Sequence, residues 1–185
     1  VLRKHYYDTK GVGSFGSAEA LFRRVRLENE PVNRRRVKMW LSGEEAYSLH
    51  KPARRHFKRR PTIVSAQIDY QWQADIISIQ DLAKYNNGSK YILTVIDVLS
   101  KYAYAEALND KSGTSVTEAF KTIFAKGRKP QKLQTDAGKE FLNKTFQKLL
   151  KQHGVHHFVT HTEVKAAVIE RFNRTLKSKM WRYFT

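Results

Sequence analysis

From residue 70 onward the apolar positions switch between a two-residue and a longer period, and the switches mark out the elements. "YQWQADIISIQ" (70–80) alternates like a strand, and "KYILTVIDVLSKYAYAEAL" (90–108) holds two further β-rich runs, Tyr91 to Val98 and Tyr102 to Ala107. "NNGS" (86–89) is a hairpin signal between the first two, so the spacing predicts three antiparallel strands in series. Val116, Phe120, Ile123 and Phe124 then share one face of a helix predicted over 114–126, with Ser112 or Thr114 near its cap and Gly127 and Pro130 ending it. "QKLQTD" (131–136) reads as a short strand ending on an aspartate. A helix over 143–154 turns Phe146, Leu149 and Leu150 inward, "HHFVT" (156–160) is a strand, and a long helix fills 164–184. The order β-β-β-α-β-α-β-α predicts an α/β domain, a mixed sheet with helices on its faces.

The first third reads differently. "SAEALFRRVRLE" (17–28) places Ala20, Leu21, Val25 and Leu27 along one helical face behind a Ser17 cap, "ENEPVN" breaks it, and "NRRRVKMWL" (33–41) predicts a second helix. There Val37, Trp40 and Leu41 point inward and Arg34, Arg35, Arg36 and Lys38 outward. Two short helices around a tight break resemble a helix-turn-helix, whose second helix would enter the major groove of DNA. A small helical pair with a solvated basic face fits the same pattern, and three consecutive arginines do not separate phosphate contact from base reading. "KPARRHFKRRP" (51–61), with two prolines, six basic residues and no acid, reads as a linker. The expected division is a basic helical segment over 1–50, a basic linker over 51–65 and an α/β domain over 66–185.

Charge sharpens the functional reading. Across 185 residues, 35 Lys and Arg face 17 Asp and Glu, a net charge of +18, with 16 basic and 6 acidic residues (+10) in 1–60 and 19 against 11 (+8) in the rest. Such an excess favours a polyanion through phosphate neutralisation and counterion release. Membrane lipid is the weaker alternative, because the sequence shows no basic amphipathic stretch with a broad apolar face, no lipidation cysteine and no apolar run of spanning length. The start lacks the apolar stretch of a signal peptide, so the chain reads as intracellular. With no cysteine, disulfides and thiolate metal sites are excluded, and any metal must be held by oxygen or imidazole.

Three acids stand where chemistry is expected. Asp75 is mid-strand, Asp136 ends another strand, and Glu170 lies on the last helix beside Val168 and Ile169. A carboxylate in apolar surroundings must be paired, protonated or bound to a metal, and converging acids call for a divalent cation such as Mg²⁺ or Mn²⁺. Each also has a plain reading: Asp75 bonded to backbone or arginine, Asp136 a turn residue ahead of Gly138, Glu170 a surface charge paired with Arg174. Asp97 is read as structural, and Glu140 as a substitute ligand or a residue behind the ligands. His153, His156 and His157 are not read as a zinc site, because adjacent strand positions point to opposite faces. Trp72, Trp181 and the tyrosines are read as core or interface rather than stacking platforms.

"WQADIISI", "YILTVIDVLSKYAYAEAL", "QTDAGKEF" and "VIERFNRTLKSKM" resemble, in order, the integrase catalytic core shared by retroviruses, retrotransposons and related transposable elements, over about residues 66–185. "THTEVKAAVIERFNRTLKSKMWRYF" and "YSLHKPARRHF" look most similar to integrases of Polinton or Maverick DNA transposons. The resemblance implies a ribonuclease-H-like mixed five-stranded sheet flanked by helices, and a site in which Asp75, Asp136 and Glu170 hold two Mg²⁺ or Mn²⁺ ions. It implies phosphoryl transfer without a covalent enzyme intermediate, trimming DNA 3′ ends and joining them to target DNA. It also implies DNA partners, action as a homo-oligomer and no small-molecule substrate; a nuclear location is expected from that substrate and from the basic run over 51–60. Arg174 and Lys177, at i+4 and i+7 from Glu170, would contact phosphates beside the metals, or form a solvated basic face; Asn173 lies one position off that face. The chain departs from the family in three respects: 33 residues separate Asp136 from Glu170, fewer than in retroviral members; Ala137 stands where Asn is frequent; and no paired His and Cys form a zinc-binding amino-terminal domain. The last helix stops at Thr185, which reads as a truncated end. An integrase-derived DNA-binding or chromatin protein without catalysis, and a ribonuclease-H-like hydrolase, are the competing expectations.

Overall fold

Two side-chain caps start the helices predicted near the amino terminus. In this computed structural model, which describes residues 1–11, 13–51, 67–159 and 166–185, the helix α1 (Leu2–Tyr7) precedes α2 (Ala18–Leu27), α3 (Arg34–Gly43) and α4 (Glu45–Ser48). Ser17 Oγ accepts from the Ala20 N–H at 3.2 Å to open α2, and Asn33 Oδ1 accepts from the Arg36 N–H at 2.8 Å to open α3. Leu21 and Val25 of α2 pack with Val37 and Leu41 of α3 and with Tyr6 and Phe15. Leu27, expected on that inward face, is 84% exposed. It is two residues beyond Val25, about 200° around the helix, so its direction follows helical geometry rather than hydrophobicity.

Residues 1–59 and 174–185 form one compact unit and residues 60–173 a second. Residues 52–66, which take in most of the linker expected over 51–65, lie outside the described residues. The part of α8 (Ala167–Phe184) from Arg174 onward belongs to the first unit: Arg182 Nη1 donates to the backbone oxygen of Phe15 at 2.7 Å, and its guanidinium lies 5.2 Å from the Tyr47 ring centre.

The second unit is built on strands β1 (Gln71–Ser78), β2 (Tyr91–Asp97), β3 (Ala103–Leu108), β4 (Lys132–Thr135) and β5 (His156–Val159), in the sheet order β3-β2-β1-β4-β5. The first three pair antiparallel, while β4 pairs parallel with β1 and β5. This is the mixed five-stranded sheet that the sequence predicts. The connection from β1 to β2 is longer than a tight hairpin: a 3₁₀ turn (Gln80–Tyr85) intervenes before Asn87 and Gly88 take positive φ.

Alternation along β1 sends Trp72 and Ala74 into the main apolar cluster, where α5 (Gly113–Ala125) and α7 (Lys144–Gln152) supply Val116, Phe120, Ile123, Phe146, Leu149 and Leu150. The short helix α6 (Lys139–Leu142) adds Phe141. Gln73 and Asp75 take the other face, toward the start of α8. Among the described residues no helix is long and apolar enough to cross a membrane.

Candidate metal and nucleic-acid site

The start of α8 is fixed by a strand residue. Gln73, 1% exposed, accepts at its side-chain oxygen from the N–H groups of Val168 (3.2 Å) and Ile169 (3.0 Å), two donors that no helical carbonyl can reach. Its amide nitrogen donates to Gln134 Oε1 at 2.9 Å, which also accepts from Gln71 Nε2 at 2.9 Å. One buried amide thus joins β1, β4 and α8.

Asp75 follows Gln73 on the same face. Its Oδ1 accepts from the Ile76 N–H and its Oδ2 from Asn173 Nδ2, each at 2.8 Å. Burial pushes the Asp75 carboxyl up, and the Asp136 charge adds to this against the Ile76 and Asn173 donors and the Lys111 charge. Asp136 is the first residue beyond β4, where its Oδ1 accepts from the Gly138 N–H at 3.1 Å. A Cβ at Gly138 would stand 2.8 Å from Glu140 Oε2 and 3.0 Å from Asp136 Oδ1, so the glycine permits both carboxylates to crowd one point. Glu140 is held by Lys111 at 3.0 Å.

Asp75 and Asp136 therefore form a mutually repelling, oxygen-only pair, a donor set suited to a hard divalent cation. Glu170 is exposed on the first turn of α8, one turn before Asn173. Among the described residues no three Asp, Glu, His or Cys side chains gather closely enough to hold a metal ion. The structure thus places two of the three expected acids near each other, and the residue of α8 that bonds Asp75 is Asn173.

Asp97 has the structural environment expected of it. It is fully buried, bonded to Ser100 Oγ (2.6 Å), the Leu99 N–H (3.1 Å) and Arg128 Nη2 (2.9 Å), and Arg128 also binds Asp69 at 2.7 Å. Burial opposes its charge, but these donors prevail and hold its carboxyl below the usual range. His157 lies between Thr135 Oγ1 (2.9 Å) and Gln147 Nε2 (2.8 Å), while His156 is exposed.

The expected basic contacts divide. Arg174 and Lys177 are exposed on α8, and Arg35, Arg36 and Lys38 are exposed on α3. Arg34 instead binds Glu19 at 3.2 Å and stacks over Phe22 at 4.4 Å, joining α3 to α2. Gln73, Gln134 and Lys111 escaped the sequence reading. Only for Gln73 was there a signal, its place two residues before Asp75 in an alternating strand.

A sheet of this order, with an acid pair at the carboxyl-terminal end of β4 and the neighbouring part of β1, has the ribonuclease-H-like fold of integrase catalytic cores. Residues 66–163, more than half of the chain, match the integrase core domain family, and the chain belongs to that family. It is 37% identical over 103 residues to an uncharacterized transposon-derived protein of Caenorhabditis elegans, covering 55% of this chain and 36% of that protein. It is 32% identical over 98 residues to a retrovirus-related Pol polyprotein from a Nicotiana tabacum transposon, covering 50% and 7%. The chain therefore spans about a third or less of the length of these curated relatives. Among solved structures, the HTLV-2 integrase catalytic core in complex with magnesium superposes with a TM-score of 0.52 at 19% identity, covering 62% of this chain and 70% of that one. A simian T-cell lymphotropic virus intasome chain superposes with a TM-score of 0.60 at 18% identity, covering 86% and 56%.

Proposed function

We propose that the chain carries the catalytic core of a DNA integrase, a polynucleotidyl transferase that trims the 3′ ends of a mobile element and joins them to target DNA. The observation that carries this reading is the Asp75–Asp136 pair, two acids whose charges repel, on a strand face that Asn173 and Gln73 tie to the helix bearing Glu170. Asp75 and Asp136 would hold a Mg²⁺ or Mn²⁺ ion, with Glu170 completing the set for two. Bound divalent ions supply activation of a water or 3′-hydroxyl and stabilisation of the departing oxygen.

The chain's own residues position and compensate charge. Asn173 orients the Asp75 carboxylate, and Gln73 fixes where α8 begins. Arg174 and Lys177 contact phosphates along α8, and Arg35, Arg36 and Lys38 contact DNA from α3. Joining two element ends calls for more than one copy of the protein, and the substrate calls for a nuclear location; no small-molecule substrate or membrane is involved.

The exposure of Glu170 and the presence of Ala137 favour a second reading, an integrase-derived protein that binds DNA without cutting it. A strand-transfer assay with labelled element-end DNA and Mg²⁺ or Mn²⁺ separates the two. Joined products that vanish in Asp75→Asn support integration, and binding without cleavage supports the second reading. Cleavage without joining identifies a hydrolase.

A further inference from the structure

We propose that Lys111, held by Glu140 where the turn between β3 and α5 meets the loop after Asp136, is a phosphate-contacting residue for the nucleic acid that enters this acid site. The inference rests on the reading of the site as one that handles DNA.

The turn is built to fix this lysine. Asp110 Oδ1 accepts from the Ser112 N–H at 2.8 Å and from Ser115 Oγ at 2.7 Å, while Ser112 Oγ accepts from the Ser115 N–H at 3.2 Å to cap α5. Lys111 thus springs from a short segment whose two neighbours are both tied down. Its ammonium lies 3.0 Å from Glu140 Oε1 and 5.9 Å from the Tyr91 ring centre. The other Glu140 oxygen shares with Asp136 Oδ1 the point that a Gly138 side chain would occupy. Lys111 is therefore one carboxylate away from Asp136.

The pair opens toward solvent on the lysine side: the Lys111 side chain is 46% exposed and that of Glu140 14%. An ammonium has three donors, and among the described residues Glu140 is its one anionic partner at ion-pair distance. The Lys111 ammonium faces solvent, so it has donors left for a phosphate while it keeps Glu140. The need for a cation here is electrostatic. DNA brought to Asp75 and Asp136 carries its own negative charge, and Lys111 is a cation held one carboxylate from Asp136. On this account Glu140 holds Lys111 toward the site and is not a metal ligand.

The chain contains no cysteine, so Lys111→Cys introduces a unique thiol. Duplexes carrying a thiol tether on successive phosphates near the element end are expected to crosslink to it most strongly at one or two adjacent positions. Lys121→Cys, on the exposed face of α5, serves as control and should show a flat profile. In direct binding with Mg²⁺, Lys111→Ala is expected to weaken affinity several-fold and to lower the slope of log affinity against log salt by about one. Lys111→Arg should restore both. Wild-type binding with an unaltered Lys111→Ala affinity and slope, or a Lys111→Cys profile as flat as the control, overturns the assignment alone. Failure of the wild-type protein to bind the duplex overturns the DNA reading of the site and this inference with it.

Discussion

The side-chain oxygen of Gln73 receives the backbone N–H of Ile169 at 3.0 Å, so a residue in the middle of the sheet sets where the last helix begins. Gln73→Leu keeps the volume but strands two helix N–H groups and part of the Gln134 amide. Each buried polar group left unpaired costs about 1–3 kcal/mol. The variant should melt lower and show faster hydrogen exchange at the Val168 and Ile169 amides than elsewhere in α8. Gln73→Glu, which keeps the acceptor, should recover most of that protection. Equal exchange in all three proteins would remove the cap from the argument.

Asp75 gives a stability prediction of opposite sign. Its carboxyl is pushed above the ordinary value by burial and by Asp136. Between the unfolded and folded pKa values the native state then holds more protons than the unfolded one, so stability is greatest below the unfolded value and falls as pH rises through the folded value. Above the folded value the penalty is fully present. Asp75→Asn should therefore raise the melting temperature at pH 7, by about 2–4 °C for each kcal/mol relieved, and the gain should shrink at pH 4. A lower melting temperature at pH 7 would mean that the Ile76 and Asn173 bonds outweigh the repulsion.

Mn²⁺ should relieve the same repulsion in the wild-type protein. Saturating ion is expected to raise the melting temperature, by about 2.7 kcal/mol of linkage at one hundred times Kd. Asp136→Asn should abolish the rise. Differential scanning fluorimetry with and without chelator reads this directly, and an equal shift in both proteins would place the ion elsewhere.

Arg128 bridges Asp69 and Asp97 at 2.7 and 2.9 Å, and Asp97 is fully buried. Removing the cation leaves an uncompensated charge in the interior, so Arg128→Met should cost about 3–5 kcal/mol by urea unfolding. The Asp97 carboxyl is held below its ordinary value, so its contribution is present above the unfolded pKa and is lost as pH falls through the folded one. Wild-type protein should lose more stability than Arg128→Met on acidification below about pH 4.

The regular elements were legible because their periods are long enough to read. Five strands and the helices carrying Phe120 and Phe146 follow from alternation and from i, i+3, i+4 spacing. Helices α1, α4 and α6 run for six, four and four residues, too short to display a period. The acids Asp75 and Asp136 were legible from their places on strands. Arg34 points outward as its helical position predicts, but its partners Glu19 and Phe22 are not legible, because facing charge on a neighbouring helix leaves no mark in the local pattern. Gln73, Asn173 and Lys111 owe their roles to partners 96, 98 and 29 positions away in the chain, separations that no local window contains.

The neighbouring strands β1 and β2 treat their aspartates in contrasting ways: Asp97 is given an arginine, and Asp75 is given a second acid. A copy of this chain free of any demand on the acid pair would gain robustness from the first mutation that neutralised Asp75, whereas losing Arg128 would destabilise it. Decay of the chemistry in such a copy runs thermally downhill. A domesticated descendant that still kept Asp75 would carry, in that one residue, a record of continued use.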